Sequence, residues 1–443
     1  EGVKRVDMDG FIDNQGNFGA DGIVGPHHEK EGSYYTIKQL WSPVQIMNTS
    51  IDRQFDGKFS VENRYDYLNL NTCQFVWKQV KFPKVTDTSN ATTQILKEGK
   101  VQGSDVAAHA TGILDLKTSI LSDADALFLT AIDQYGHELW RWTFPIDKLN
   151  QPIEQYSPLS NRSTYTETEK ELTVKANNRT FVFSKVDGQL KGVSIDNRKI
   201  SFANGPRFIA ARRADRSLDQ FYNHDDEKAK EKDRTYSEFP DAAVFTNLDV
   251  KEDRGNLIVT AHYKLGNLDK AQWTINPSGV VTLDYTYNFS GVVDLMGIRF
   301  DYPEDQVLSK RWLGAGPYRV WQNRIHGTQY DIWENDYNDP IPGETFTYPE
   351  FKGYFGNVSW MNIRTKEGLI SLTNETPNSY IGIYQPRDGR DRLLYTLPES
   401  GISVLNVIPP VRNKVNSTDL CGPSSQPKWV DGSKTGRIVF RFE

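Results

Sequence analysis

The sequence has few cysteines, few methionines and no excess of positive charge. Among 443 residues there are 2 Cys and 4 Met, so we expect neither a disulfide framework nor a thiolate metal site. The 58 acidic and 52 basic residues give a net charge of -6, which excludes the broad positive field that non-specific nucleic-acid binding requires. No apolar run approaches the roughly 20 residues of a membrane helix. We therefore expect a soluble protein that binds neither nucleic acid nor a membrane.

Aromatic residues, in contrast, are abundant: the chain has 10 Trp, 21 Tyr and 22 Phe. This balance favours β-sheet, because aromatic side chains suit pleated, half-buried surfaces. Apolar and polar residues alternate in residues 58–82 on both sides of Asn69-Leu70-Asn71, which predicts two strands and a turn. The same alternation returns in residues 127–143. These short strands predict one β-sandwich over residues 44–147.

A polar stretch containing Pro and Ser, residues 148–163, predicts a linker to a second domain. Beyond it, short alternating runs recur through residues 164–443 and predict a large sheet of many strands. The interruption at residues 214–234 mixes charges of both signs, which is typical of a solvated helix or loop.

The first 43 residues differ from the rest. Residues 33–41 place apolar side chains at helical spacing before Pro43, which predicts a short helix that ends at the proline. The chain begins Glu1-Gly2 without a Met, an apolar signal region or a cleavage site. We therefore expect a piece of a longer polypeptide, in which residues 1–43 are the tail of another domain.

Familiar signatures of catalysis are missing from the sequence. There is no Gly-x-Ser-x-Gly elbow and no phosphate-binding loop. Gly314-Ala315-Gly316 lacks the third glycine of a dinucleotide site, so a turn is predicted there. His27-His28-Glu29 offers metal donors, but adjacent side chains point in different directions. We expect no metal site at these three residues.

Residues 312–334 interleave aromatic and charged side chains. Sugars present apolar C–H faces ringed by hydroxyls, so this mixture is typical of a glycan site. The aromatic residues are Trp312, Tyr318, Trp321, Tyr330 and Trp333. The alternative is that these rings belong to the core of a sheet.

The acidic residues at the end of this stretch match no defined calcium loop and predict a solvated turn ending at Pro340. They are Asp331, Glu334, Asp336 and Asp339.

Two segments near the N terminus resemble glycoside hydrolase family 2 enzymes of the β-galactosidase type. Residues 17–24, Asn-Phe-Gly-Ala-Asp-Gly-Ile-Val, with Pro26 and Lys38, resemble the last βα unit of that family's catalytic (β/α)8 barrel. Residues 59–70, with Trp77, are similar to the opening hairpin of its immunoglobulin-like domain.

A third segment extends the resemblance over essentially the whole chain. Residues 312–317, Trp-Leu-Gly-Ala-Gly-Pro, with Arg324, resemble the signature of the family's final domain, a supersandwich also seen in galactose mutarotases. The resemblance implies a mainly β chain. A barrel remnant (residues 1–43) would precede an immunoglobulin-like β-sandwich (44–147), followed by the galactose-mutarotase-like β-supersandwich (164–443).

The resemblance also implies that this chain has no catalytic residue. The retaining mechanism of that family uses two glutamates, and both lie on barrel strands upstream of the matched part. The remaining barrel piece matches positions that touch a galactosyl unit and a bound sodium ion. Phe18 aligns with a Phe whose backbone carbonyl meets the ion, and Asp21 with an Asn that contacts both sugar and ion. A sodium or magnesium ion is thus expected only in the complete enzyme.

The final domain departs from the family pattern around its expected substrate contacts. Arg319 and Trp321 stand where the family has Glu and Tyr, and Lys352 lies in the segment that replaces a Pro-Gln-Glu-Asn-Gly-like run. Leu420-Cys421 replaces a Trp that stacks on the sugar, a loss of about 1–2 kcal/mol of contact. The expected contacts are Arg319, Trp321, Arg324 and Lys352. Their cationic character favours an acidic or decorated glycan over simple lactose.

The combined interpretation is the non-catalytic C-terminal part of a family 2 exo-glycosidase, which shapes the substrate pocket and binds carbohydrate. Its partners would be carbohydrate and the missing N-terminal and barrel domains of the same polypeptide. Relatives that degrade glycans are often exported, which favours a periplasmic or extracellular location. The main alternative is a free-standing carbohydrate-binding module, and a third is an aldose-1-epimerase-like protein.

Overall fold

The N-terminal part of the chain contains the one α-helix among the described residues. The computed structural model describes residues 3–4, 12–13, 23–24, 30, 32–87, 90–146, 153, 162–213, 236–336, 353–383, 398–410 and 422–443. Strands β1 (Val3–Lys4) and β2 (Ile12–Asp13) pair with each other and precede helix α1 (Gly32–Leu40). The short helix predicted before Pro43 is confirmed. No described helix is long and apolar enough to span a bilayer.

A small β-sandwich follows the helix. Its strands are β3 (Val44–Ile46), β4 (Lys58–Asn63), β5 (Gln74–Lys81), β6 (Gln94–Gln102), β7 (Thr111–Asp115), β8 (Ala126–Ile132) and β9 (Glu138–Pro145). A three-stranded sheet, β3-β4-β7, faces a four-stranded sheet, β6-β5-β8-β9. The alternation seen in the sequence buries Phe59 and Val61 on one sheet against Phe75 and Trp77 on the other. The predicted sandwich is confirmed.

The two strands and the turn predicted in residues 58–82 are confirmed, but β4 and β5 do not pair with each other, so the hairpin that the family resemblance implies here is wrong. β4 pairs with β3 and β7, whereas β5 pairs with β6 and β8 in the opposite sheet. The buried amide of Asn63 donates to the backbone oxygens of Leu68 and Val106, both at 2.9 Å. Leu70, in a 3-10 turn (Leu70–Thr72), is buried too. These anchors carry the chain across the core, so it does not fold back beside β4.

The second predicted strand pair of this sandwich is confirmed. β8 and β9 form an antiparallel hairpin over residues 126–145. The Asp133 carboxylate accepts hydrogen bonds from the backbone N–H groups of Tyr135 (2.9 Å) and His137 (2.8 Å). Gly136 adopts a φ of 87° between them, a conformation that glycine takes without steric cost. Local turn chemistry therefore fixes this hairpin.

The second half of the chain forms a much larger sandwich. Its first ten strands are β10 (Thr164–Glu167), β11 (Glu171–Ala176), β12 (Arg179–Ser184), β13 (Leu190–Ile195), β14 (Arg198–Ile200), β15 (Ala203–Arg213), β16 (Tyr236–Glu238), β17 (Val244–Asp253), β18 (Asn256–Lys264) and β19 (Leu268–Ile275). The next ten are β20 (Val281–Val293), β21 (Leu295–Asp301), β22 (Val307–Gly316), β23 (Gln329–Asp336), β24 (Phe355–Gly356), β25 (Trp360–Thr365), β26 (Gly368–Asn374), β27 (Tyr380–Gly382), β28 (Ile402–Val407) and β29 (Lys428–Phe442).

These strands build two antiparallel sheets around one apolar core. One sheet runs β10-β11-β12-β13-β15-β21-β28-β27-β24, with β14 and β16 beside β13 and β15, and the other runs β17-β18-β19-β20-β29-β26-β25-β22-β23. Residues of both sheets, among them Phe202, Trp273, Phe300, Trp312 and Phe440, are buried in one cluster. The described chain is thus mainly β, with a small sandwich followed by a large one, as the sequence predicts.

Two turns predicted in the large sandwich are wrong. Gly314-Ala315-Gly316 is the end of β22, and β23 contains Asp331, Glu334 and Asp336, each paired to a β22 residue. Both glycines are needed because of close neighbours. A Cβ on Gly316 would lie 2.4 Å from the Trp333 ring, and one on Gly314 would lie 3.0 Å from the Cα of Val358. Asp339 lies outside the described residues.

An apolar seam joins the two sandwiches. Residues of the large sandwich (Val280, Leu313, Trp360 and Val439) form one buried cluster with residues of the small one (Val80, Phe82, Val85, Ala126 and Phe128). The Trp360 indole N–H also donates to the backbone oxygen of Pro83, at 3.2 Å. Ile153, from the predicted linker, is buried in the same cluster. Most of the linker lies outside the described residues, and so does all of the charged segment 214–234. The linker, the solvated segment and the domain boundaries therefore stay predictions.

A partly buried ion pair joins the two sandwiches beside the seam, and its removal should weaken the contact between them. Asp331 Oδ2 lies 3.1 Å from Arg141 Nη2, and Asp331 Oδ1 accepts a 2.9 Å hydrogen bond from Thr93 Oγ1. Asp331→Ala leaves Arg141 in place without its counter-charge, so we expect a loss of about 1–3 kcal/mol in the free energy of unfolding. Urea titration followed by Trp fluorescence measures it.

Asp284→Ala is the matched control. Asp284 pairs with Arg437 at 3.0 Å, but both side chains are more exposed and both lie within the large sandwich. Exposed pairs contribute little, so the control should lose less than about 1 kcal/mol. Equal losses in the two variants would show that Asp331 has no special role at the seam.

Candidate functional site

Three segments that are distant in the sequence meet beyond the end of β22. They are helix α1, the loop at residues 317–327 and the turn at residues 422–426. The loop begins at Pro317, the last residue of the Trp-Leu-Gly-Ala-Gly-Pro segment, and the turn begins with Gly422-Pro423. In the structure the loop contacts the helix on one side and the turn on the other.

Tyr318 is the first contact between the loop and the helix. Its hydroxyl donates a 2.9 Å hydrogen bond to the backbone oxygen of Lys30. Its ring lies 5.3 Å from the ring of Tyr35, at an interplanar angle of 35°. Lys30 Nζ in turn lies 5.0 Å from the centre of the Tyr34 ring. These contacts bind one end of the helix to the large sandwich.

The far end of the loop approaches the backbone of the helix. Thr36 Oγ1 donates to the backbone oxygen of His326 at 2.9 Å, and Gln39 Oε1 accepts from the backbone N–H of Gly327 at 2.6 Å. A Cβ on Gly327 would lie only 2.5 Å from the backbone nitrogen of Thr36. Gly327 also has a φ of 87°. Glycine is required here on both grounds.

Two amide side chains bind the loop to the turn near the C-terminal end. Gln322 Nε2 donates to the backbone oxygens of Ser424 (2.9 Å) and Gln426 (2.7 Å). Asn323 Nδ2 donates to Ser425 Oγ at 2.8 Å. Neither residue is among the site residues predicted from the sequence. Neither has a local signal, because their partners lie about a hundred residues away.

Of the six predicted substrate contacts, the structure describes three and places them on the loop. Trp321 and Arg324 exchange backbone hydrogen bonds of 3.2 and 2.9 Å, which close a tight turn. Trp321 is only 3% exposed and packs edge-on against Tyr354, with ring centres 5.6 Å apart. Arg319 is 5% exposed and Arg324 is half-buried. Phe18, Asp21 and Lys352 lie outside the described residues, and all six roles stay predictions.

The other aromatic residues of the 312–334 stretch serve the sheets. Trp312 is fully buried and its indole N–H donates to the Ala315 oxygen at 2.9 Å. The indole N–H of Trp333 donates to the Gly314 oxygen at 3.1 Å. Tyr330 packs in the seam, where burial raises the pKa of its phenol. For these three rings the sheet-core alternative is correct. Trp312 and Trp333 pack in or against the core of the large sandwich, and Tyr330 packs against the seam.

No cluster of metal donors accompanies the loop. Within the described part of the chain, no three His, Cys, Asp or Glu side chains are grouped closely enough to hold an ion. His27-His28-Glu29 lies outside that part. The arrangement offers hydrogen-bonding amides, guanidinium groups and backbone oxygens, which are suited to binding and positioning.

A family model described as the small chain of β-galactosidase matches residues 175–406, just over half of the sequence. The chain belongs to this β-galactosidase small-chain family. The match covers most of the large sandwich, from β11 to β28, including the loop at residues 317–327.

The chain is similar to a β-galactosidase from Priestia megaterium (strain DSM 319 / IMG 1521). The two are 20% identical over 387 residues, which cover 83% of this chain and 35% of that enzyme. The chain therefore spans about a third of the length of the curated relative that it matches.

Solved structures offer weaker likenesses to the chain. A galactose 1-epimerase from Lactobacillus acidophilus NCFM is 10% identical with a TM-score of 0.37, covering 64% of this chain and 99% of that one. A putative mutarotase (YeaD) from Salmonella typhimurium is 11% identical with a TM-score of 0.30, covering 66% and 96%. Scores of this size do not establish a shared fold.

Gly327→Ala should release helix α1 from the loop. The new Cβ would collide with the helix backbone, so we expect faster amide hydrogen exchange in residues 32–40. Gly136→Ala is the matched control, because Gly136 has the same φ of 87° but no atom within 4 Å of the place where a Cβ would lie. Both variants carry the backbone strain, and only the first carries the collision. Unchanged exchange in the Gly327 variant would contradict the docking.

Proposed function

We propose that this chain is the C-terminal, non-catalytic part of a family 2 glycosidase of the β-galactosidase type. Membership of the β-galactosidase small-chain family supports this proposal, as does the similarity to a longer β-galactosidase, of which the match covers 35%. In the proposal, the small sandwich is the immunoglobulin-like domain and the large one is the supersandwich. The catalytic barrel and the N-terminal domains are the missing partners in the same polypeptide.

The docking of α1 on the loop at residues 317–327 is the observation that carries this proposal. If α1 is the last helix of the barrel, the loop and the turn at residues 422–426 form one wall of the barrel's substrate pocket. The wall is held by hydrogen bonds from Tyr318, Gln322 and Asn323. Pre-formed walls of this kind bind and orient a substrate without taking part in bond cleavage.

The individual roles in the proposed wall follow from burial. Arg319 and Trp321 are nearly inaccessible in the described part of the chain. We therefore assign them to supporting the tight turn at residues 321–324 within the loop. Arg324, which is half-buried, and Lys352 are the proposed cationic contacts to a glycan. Phe18 and Asp21 remain the proposed contacts to the galactosyl unit and to a sodium or magnesium ion of the complete enzyme.

The chain alone should not hydrolyse aryl β-galactosides, because the proposal places both catalytic glutamates elsewhere. The measurement is release of 4-nitrophenol from 4-nitrophenyl β-galactoside by the purified 443-residue chain. Turnover that persists through repeated purification would contradict the non-catalytic assignment. It would require an acid pair within this chain.

In the longer polypeptide, Gln322→Ala should weaken the pocket wall. The variant loses two hydrogen bonds to the turn, so we expect kcat/KM for the aryl galactoside to fall roughly tenfold. Gln102→Ala is the matched control, because Gln102 donates to two backbone oxygens in the small sandwich, those of Asn71 (2.6 Å) and Cys73 (2.9 Å). Equal effects of the two substitutions would mean that the turn does not border the pocket.

A further inference from the structure

A separate cleft of about 450 Å³ opens at the edge of the seam between the two sandwiches. Its lining comes from residues 50–51 and 145–146 of the small sandwich and from Tyr330 and residues 357–359 and 374–379 of the large one. None of its described lining residues belongs to α1 or to the loop and turn of the proposed wall. Its volume lies within the range of small-molecule sites, roughly 300–1,000 Å³, and such sites are often found between domains.

The described lining of this cleft is polar and nearly uncharged. Amide and hydroxyl groups predominate, among them those of Asn357, Asn374, Asn378, Ser50 and Ser379. Glu375 carries the one formal charge in the described lining, and Arg437 Nε lies 3.3 Å from its carboxylate. Amides and hydroxyls both donate and accept. This chemistry suits a neutral ligand with many hydroxyl groups.

The inner layer of the cleft is rigidly held by its own hydrogen bonds. Tyr330 and Ser359 share a 2.6 Å bond between hydroxyls, and Asn374 Nδ2 donates to Ser379 Oγ at 2.9 Å. Asn374 Oδ1 accepts from the backbone N–H of Thr376 at 3.1 Å. Val358, Pro145 and Ile51 supply apolar surface between these polar groups. The cleft is therefore pre-formed, which lowers the entropic cost of binding.

The outer layer holds two exposed amides without partners in the described structure. Asn357 and Asn378 lie at the tips of two loops, with φ values of 49° and 50°. Glycine would adopt this left-handed conformation at lower energy than asparagine. Neither amide side chain forms a hydrogen bond with any described residue. Both are thus available to a bound molecule.

From these observations we infer that the seam cleft binds a neutral saccharide of mono- or disaccharide size. The amides of Asn357 and Asn378 bind ligand hydroxyls from one side, and Ser50 binds from the other. The apolar surface of Ile51 and Pro145 contacts the C–H faces of the sugar. This binding site goes beyond the proposed function, because it does not depend on the barrel or on hydrolysis.

Titration calorimetry of the chain with lactose and with maltose tests the inference. We expect at least one of these neutral disaccharides to bind in the millimolar range, and D-glucuronate to bind more weakly because no unpaired cation lies in the described lining. Asn357→Gly/Asn378→Gly keeps both left-handed turns and removes both amides, so affinity should fall about tenfold. Ser50→Ala, on the opposite wall, should cost about threefold.

Asn177→Gly/Asn197→Gly is the matched control. Both residues are exposed, with φ values of 54° and 65°, and neither lines the cleft. This variant should bind like the parent chain. Failure of both disaccharides to bind, tighter binding of glucuronate, or unchanged affinity in Asn357→Gly/Asn378→Gly would each overturn the inference. Equal melting temperatures of the two double variants establish that both are folded.

Discussion

The apolar seam between the sandwiches is the contact on which the arrangement of the chain depends. In β22 and β25, alternate residues serve two cores: Trp312 and Met361 point into the large sandwich, whereas Leu313 and Trp360 point into the seam. These strands are therefore apolar on both faces, which a sheet with one solvent-facing side would not require. Burial of each large side chain there contributes roughly 1.5–3 kcal/mol. The seam fixes the small sandwich against the large one and creates the cleft at its edge.

Helix α1 depends on a second long-range contact. A helix of nine residues is unstable alone, and none of its side chains is fully buried. It is held by Tyr318 and Gly327, nearly 300 residues further along the chain. Lys38 adds an exposed ion pair to Glu138 of the small sandwich, at 2.9 Å. Helix α1 thus contacts both sandwiches, and most of its described contacts are with the loop of the large one.

Features that depend on local sequence could be predicted, and those that depend on distant partners could not. Alternation located most strands, and Pro43 located the end of the helix. Alternation shows which face of a strand is buried but not which strand lies beside it, so it does not distinguish a β4–β5 hairpin from the observed crossing between the two sheets. From the sequence alone, Gly314 and Gly316 indicate a turn. The Trp333 ring that requires a glycine at position 316 comes next to it only in the folded sheet. Gln322 and Asn323 carry no pattern of their own.

The candidate site follows the same division. The resemblance to family 2 pointed to Arg319, Trp321 and Arg324, and all three lie on one loop against α1. Burial changed the role that we assign to Trp321, because its ring packs on Tyr354.

A structure of the longer polypeptide with a bound non-hydrolysable galactoside tests the central claim most directly. The account predicts that the sugar contacts the loop at residues 317–327 or the turn at residues 422–426. A sugar bound away from α1, this loop and this turn would contradict it.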